Sequence, residues 1–233
     1  MAAPIGLQPT ADLAQRVLLP GDPARALLLA ETLLEGAKMF NHHRGLWGYT
    51  GLARDGAPLT IQSTGMGGPS AAIVISELID LGASRLLRVG TCGALATGLR
   101  VGDLLVATEA IAADGTSRAL GAGERVPADP QLLAALSGAA EHAGPVVSTD
   151  LFYDGRGLER GWAQAGAVAV EMEAATLFTL ARTRDVQAAA LLIVSDLVLP
   201  ARRRIGPEEL REAETRMGRA ALGALGLVPE RQP

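Results

Sequence analysis

Short apolar runs recur along this chain. Each is followed by a Gly-rich or polar turn and then by a stretch with helical periodicity. Arg16 to Leu19 leads into Pro20-Gly21-Asp22-Pro23 and an Ala- and Leu-rich helix. Leu59 to Gln62 leads into the turn Ser63 to Pro69, after which Ala71, Val74, Ile75, Leu78 and Ile79 share one helical face. Arg85 to Val89 leads into Gly90-Thr91-Cys92-Gly93. Ala167 to Val170 leads into Glu171-Met172-Glu173 and a helix with Ala174, Leu177, Phe178 and Ala181 on one side. Ala188 to Val194 ends at Ser195-Asp196. Pro207, Glu208 and Glu209 read as a helix start, because Pro suits the first turn and acids suit the positive helix end. Asp114 to Pro130, rich in Gly, Pro and charge, reads as a surface loop. No fixed-period repeat or shift in composition marks a boundary, so residues 1–233 read as one domain.

Strands alternating with helices predict an α/β fold with a largely parallel sheet. In such sheets ligands bind just beyond the carboxyl ends of the strands. The Gly, Thr, Arg, Glu and Asp clusters all fall at those ends, which predicts one active site made from several loops.

Composition narrows the chemistry. The 233 residues are 48% hydrophobic, enough for a full core without staples. A net charge of -4 and 3% aromatics disfavour a nucleic-acid binder. The single Cys92 excludes an internal disulfide framework and a Cys-rich zinc module. Three His and no HExxH argue against a His-built metal site. No basic-then-apolar leader and no apolar run of about 20 residues is visible, so a cytoplasmic protein without a membrane span is expected. Lys38 is the only Lys, so a phosphate site has to be built from Arg and backbone N–H groups.

Familiar nucleotide signatures are missing: there is no GxxxxGK[ST], and Gly65-Met66-Gly67-Gly68 does not complete GxGxxG. Cys92 reads as a small buried turn residue, since no His base lies nearby in sequence. Gly21 in the turn after the first strand lets backbone approach an anion, and Arg25 can fork onto phosphate oxygens. Arg88 interrupts an apolar strand and needs either an anion or a carboxylate; Thr91 adds a hydroxyl in the next turn. Glu171 and Glu173 stand where a strand becomes a helix; a carboxylate there accepts either from the helix start or from a sugar diol. Asp196 ends a buried strand, where it serves as a turn cap or as a proton donor with a raised pKa.

In this order the segments PGDPAR (20–25), NHHRG (41–45), STGMGGPSA (63–71), LLRVGTCGA (86–94), STDLFY (148–153), VEMEAA (170–175) and VSD (194–196) resemble the nucleoside phosphorylase family. That family includes the hexameric bacterial purine nucleoside phosphorylases and the uridine phosphorylases. The resemblance implies a single-domain α/β phosphorylase fold, with a mixed central sheet partly closed into a barrel and flanked by helices. It implies phosphate held by Gly21, Arg25, Arg88 and Thr91, with Arg44 reaching in from a neighbouring subunit. Glu173 would bind the sugar hydroxyls, Met66 and Met172 would pack on the sugar, and Glu171 and Ser195 would line the same pocket. Phe152 would stack on the base, and Asp196 would protonate or hydrogen-bond purine N7, supported by Arg211. Inorganic phosphate is the co-substrate, and no metal or organic cofactor is implied. The shared Arg44 implies at least a homodimer, with a hexamer as the usual assembly, and no nucleic-acid or membrane partner.

The expected reaction is phosphorolysis of purine nucleosides in purine salvage and nucleoside catabolism. The alternatives are a uridine phosphorylase, a 5′-methylthioadenosine phosphorylase or nucleosidase of the same fold, and a nucleoside sensor without turnover. Uridine-specific members carry a Gln-x-Arg pair after the Phe-Tyr pair, where this chain has Arg156-Gly157-Leu158. Many purine members also carry a His near the N-terminus, which Met1 to Leu7 lacks.

Overall fold

A computed structural model describes residues 4–199 and 202–228, and in it the apolar runs become strands. In chain order the first half comprises β1 (Arg16–Leu19), α1 (Pro23–Leu33), β2 (Leu34–Asn41), β3 (Gly48–Ala53), β4 (Pro58–Gln62), α2 (Gly68–Asp80) and β5 (Arg85–Ala94). The middle comprises β6 (Leu104–Ala112), α3 (Gly115–Ala119), β7 (Arg125–Pro127), α4 (Pro130–Leu136) and β8 (His142–Ser148). The last part comprises α5 (Glu159–Gln164), β9 (Ala169–Glu171), α6 (Ala174–Thr183), β10 (Gln187–Leu197), β11 (Arg203–Arg204) and α7 (Pro207–Leu227).

The sheet is mixed rather than largely parallel. β4, β1, β5 and β10 run parallel side by side. β5 and β10 are buried on both faces, which is why they read as apolar runs, interrupted in β5 by Arg88; β5 also continues through residues 90–93, expected as a turn, to Ala94, because they pair with β10. β10, β6, β8, β9 and β5 pair in a closed circuit, giving the five-stranded barrel. β3 and β2 extend the other wing through antiparallel pairing. The antiparallel members were not legible because β2 is mostly exposed and its sequence has no continuous apolar run, while β7, β9 and β11 are three residues long or shorter.

The expected surface loop from Asp114 to Pro130 is instead partly structured and buried. Asp114 caps α3 by accepting from the Ser117 N–H at 2.7 Å, and β7 pairs with β6. Asp114 and Ser117 have no exposed surface, so the polar composition there reflects internal capping rather than solvation. Helix starts follow the same logic elsewhere. Asp22 caps α1 through the Ala24 N–H, and Asp129 caps α4 through Gln131 and Leu132, each cap being worth about 1 kcal/mol. α2 packs on α6 and α1 on α7, leaving the carboxyl ends of the parallel strands open. Among the described residues no helix is long and apolar enough to cross a membrane.

Candidate active site

Because β4, β1, β5 and β10 run parallel and adjacent, their carboxyl ends meet along one sheet edge. A cavity of about 630 Å³ opens there. β5 runs along it, presenting Arg88, then Thr91, then Gly93, which lies opposite Asp196 of β10 in register.

The Arg25 side of the cavity is built from two buried cations. Arg25 follows the Gly21 turn and is 7% exposed; its Nε donates to Glu214 Oε1 of α7 at 2.7 Å. Arg88 is 5% exposed and is shared by two carboxylates. Nε meets Glu171 Oε2 at 2.9 Å, and Nη2 meets Glu173 Oε2 at 2.5 Å. Desolvation works against its charge, but Glu173 and Glu171 outweigh that and hold it firmly protonated. The sequence left open whether Arg88 serves an anion or a carboxylate; the carboxylates are present, and Arg88 lines the cavity as well. Gly90 makes room for this arrangement, since a Cβ there would lie 2.8 Å from the Arg88 guanidinium carbon. Gly21 and Thr91 line the same cavity.

Glu171 and Glu173 divide the work. The Glu171 side chain has no exposed surface and spends its carboxylate on protein donors: Arg88, the Ser148 hydroxyl, and the backbone N–H groups of Glu173 and Ala174. It anchors the N-terminus of α6, where the positive helix end favours an acid. Glu173 accepts from the Gly67 N–H at 2.5 Å as well as from Arg88. Burial, with a smaller contribution from Glu171, pushes its pKa above the usual carboxylate range in spite of Arg88. Met172 lines the cavity between them, and Met66, 86% exposed, stands at its margin.

The other side carries Asp196. Its carboxylate is 6% exposed and lies 3.1 Å from Arg204 Nε, 3.3 Å from Arg202 Nε and 3.1 Å from the Ser195 hydroxyl. Arg202 sits over the Phe152 ring at 5.2 Å, and Tyr153 meets that ring edge-on at 5.0 Å. Trp162 of α5, Phe152 and Val198 add apolar lining to the cavity, and Trp162 and Val198 pack on the same small apolar cluster. Cys92 is buried nearby, and desolvation pushes its thiol far up, which leaves it unreactive.

Most of the residues singled out from sequence share this one cavity, but Arg211 does not. It is exposed on α7 and not among the residues lining the cavity, while Arg204 of β11 stands opposite Asp196 in register. Arg202 and Arg204 were not singled out from sequence, although an Arg triplet six residues beyond Asp196 was a usable signal. Glu214 gave no local signal, as it meets Arg25 across 189 positions of chain. Arg44 is exposed and lines the margin of its own chain's cavity in a left-handed conformation, φ 57°. Non-Gly residues held there are uncommon and cluster at functional sites. Arg156, in the stretch that departs from the uridine-type pattern, pairs with Asp154 at 2.7 Å. Met1 to Ala3 of the N-terminal stretch without His lie outside the described residues.

Comparison with known proteins gives a consistent set. The sequence profile of the Phosphorylase superfamily matches residues 15–226. A protein of Geobacillus kaustophilus (strain HTA426), described as a purine nucleoside phosphorylase DeoD-type, is 41% identical over 208 residues, covering 85% of this chain and 87% of that one. A protein of Jannaschia sp. (strain CCS1) with the same description is 42% identical over 212 residues, covering 85% and 88%. Among solved structures, a uridine phosphorylase from Vibrio fischeri ES114, complexed with 6-hydroxy-1-naphthoic acid, superposes with a TM-score of 0.80. It is 29% identical over 91% of this chain and 90% of that one.

Proposed function

The chain belongs to the phosphorylase superfamily, and on that premise we propose that it cleaves purine nucleosides with inorganic phosphate, giving the free base and ribose or deoxyribose 1-phosphate. One observation carries the reading. Two buried guanidinium groups, Arg25 and Arg88, line the same cavity as the buried carboxylate Asp196. Protein carboxylates answer both charges, Glu214 for Arg25 and Glu171 with Glu173 for Arg88, yet both guanidinium groups still line the cavity, where a planar fork of donors suits an oxyanion; a hydrolase acting through water has no use for two such groups.

Phosphate binds among Arg25, Arg88, Thr91 and the Gly21 turn. Glu173 accepts from the sugar hydroxyls, and Met66 and Met172 cover the sugar. Phe152 and Trp162 flank the base. As the glycosidic bond lengthens, positive charge grows on the anomeric carbon, and the bound phosphate stabilises it. A phosphate oxygen then forms the new C–O bond on the face opposite the base while the C–N bond breaks. Asp196, acting as the acid, transfers its proton to N7, so the electron pair of the broken C–N bond leaves on a neutral purine and Asp196 is left as the carboxylate. Holding the nucleophile in line supplies several kcal/mol through proximity. The reaction so drawn uses no metal or organic cofactor. Arg44 lines the margin of its own chain's cavity; in this reading, which for this residue rests on the family resemblance, it completes the phosphate site of a neighbouring copy, which makes a homo-oligomer, a hexamer, the working unit. The cytoplasm, where nucleosides and phosphate are both at hand, is the compartment.

The test is spectrophotometric. Inosine, guanosine, adenosine, 5′-methylthioadenosine and uridine are each followed with and without phosphate, and sugar 1-phosphate is assayed as product. Phosphate-dependent cleavage of purine nucleosides is expected; base release indifferent to phosphate would sink the reading.

A further inference from the structure

Arg25 is nine-tenths buried and lines the cavity, yet the only hydrogen bond of its guanidinium among the described residues is the one from Nε to Glu214 Oε1, at 2.7 Å. Its two terminal nitrogens have no protein acceptor among those residues. A guanidinium is a planar fork of donors, so fixing the Nε edge fixes where the Nη edge points. Glu214 is itself nearly buried, at 11% side-chain exposure, and projects from the middle of α7. That helix packs on α1, the helix that carries Arg25.

We infer that Glu214 is a positioning residue for phosphate: it grips the inner edge of Arg25 and leaves the outer edge presented to the anion. The inference rests on the phosphorolysis reading and goes beyond it, because Glu214 touches neither substrate. Two physical effects compete, and they have opposite signs. The Glu214 charge repels phosphate, so electrostatics alone would let its removal tighten binding. Its hydrogen bond holds the fork in place beside an open, solvated cavity; without it Arg25 swings towards water and must be recaptured by each incoming phosphate. Orientation wins here, since the cavity offers the freed side chain somewhere to go and a small misplacement of a positioned group is expensive.

The experiment is steady-state kinetics on the full-length enzyme, varying phosphate at saturating inosine and then the reverse, for the parent, E214A and E214Q. E214Q keeps an acceptor oxygen for Nε, so its phosphate KM stays at or below that of the parent. E214A raises phosphate KM by about tenfold or more while inosine KM stays within about twofold. Should E214A fail to fold, E214D keeps the charge one methylene short of Nε, and the same selective rise is expected. An unchanged or lowered phosphate KM in E214A or E214D, or equal rises for both substrates, would overturn the inference. A parent enzyme indifferent to phosphate would overturn the phosphorolysis reading and this inference together; with a phosphate-dependent parent, failure of the selective rise counts against Glu214 alone.

Discussion

Asp196 is held by three side chains at once, Arg202, Arg204 and Ser195, so its carboxylate is oriented before any base arrives. General acid assistance is typically worth about 10²–10⁴ in rate. D196A is therefore expected to lower kcat by about that factor while phosphate KM changes little, measured by initial rates on inosine. Glu173 gives a pH prediction. Its folded pKa lies above the usual carboxylate range, chiefly from desolvation. It accepts sugar hydroxyls only when ionised, so kcat/KM for the nucleoside falls as pH drops through that raised value. The acid limb of the profile should lie above the range of an ordinary exposed carboxylate, and E173Q, which cannot titrate, should lose that limb along with most of its activity. Arg88 was legible as an anomaly within an apolar run. Its pairing with Glu171 and Glu173, 83 and 85 positions away, was not, because nothing local to either segment encodes the other.

Among the elements, β10 holds the architecture. It pairs with β5 and β6 inside the barrel and with β11 at its end, and it delivers Asp196. Leu192 at its centre is fully buried, and truncating such a Leu costs about 2–5 kcal/mol. L192A should lower Tm by about 4–20 °C in a scanning calorimeter, given about 2–4 °C per kcal/mol for a domain of this size. The turn between β3 and β4 is secured differently. Asp55 receives a bidentate guanidinium from Arg16 of β1, with both contacts at 2.6 Å, and that hydrogen bonding holds its pKa below the usual range. A depressed folded pKa contributes stability above the unfolded value and loses it as pH falls through the folded one. Acid titration followed by circular dichroism should thus show D55N less sensitive than the parent across and below the ordinary carboxylate range. The first half of β5 and most of β10 were legible because burial on both faces makes an apolar run; β2 and β11 were not, because exposed or two-residue strands take their identity from a partner.

For the whole molecule, the question is whether one chain makes a complete site. Arg44 combines exposure, a left-handed backbone and a place at the cavity margin. If it serves a neighbour's phosphate, R44A and D196A are each nearly inactive alone, yet unfolding and refolding them together restores activity, because some mixed pairs contain one site with both residues intact. Absence of recovery in mixtures shown to be co-assembled would defeat the shared site.

Sequence alone determined roughly where the buried strands lie and which charged residues interrupt apolar runs. These are local properties of burial, periodicity and backbone freedom, so the chain spells them out position by position. It did not determine where every strand ends: residues 90–93, expected as a turn, continue β5 to Ala94. The order of those residues also carried the family likeness that the comparisons bear out. Only the tertiary structure decided that the sheet is mixed and closes into a barrel, that Arg204 rather than Arg211 faces Asp196, and that Glu214 grips Arg25. Those outcomes depend on register and on contacts between distant segments. An ion pair between far-separated positions has no local energy to announce it; it exists because packing brings two otherwise costly buried charges to the same place.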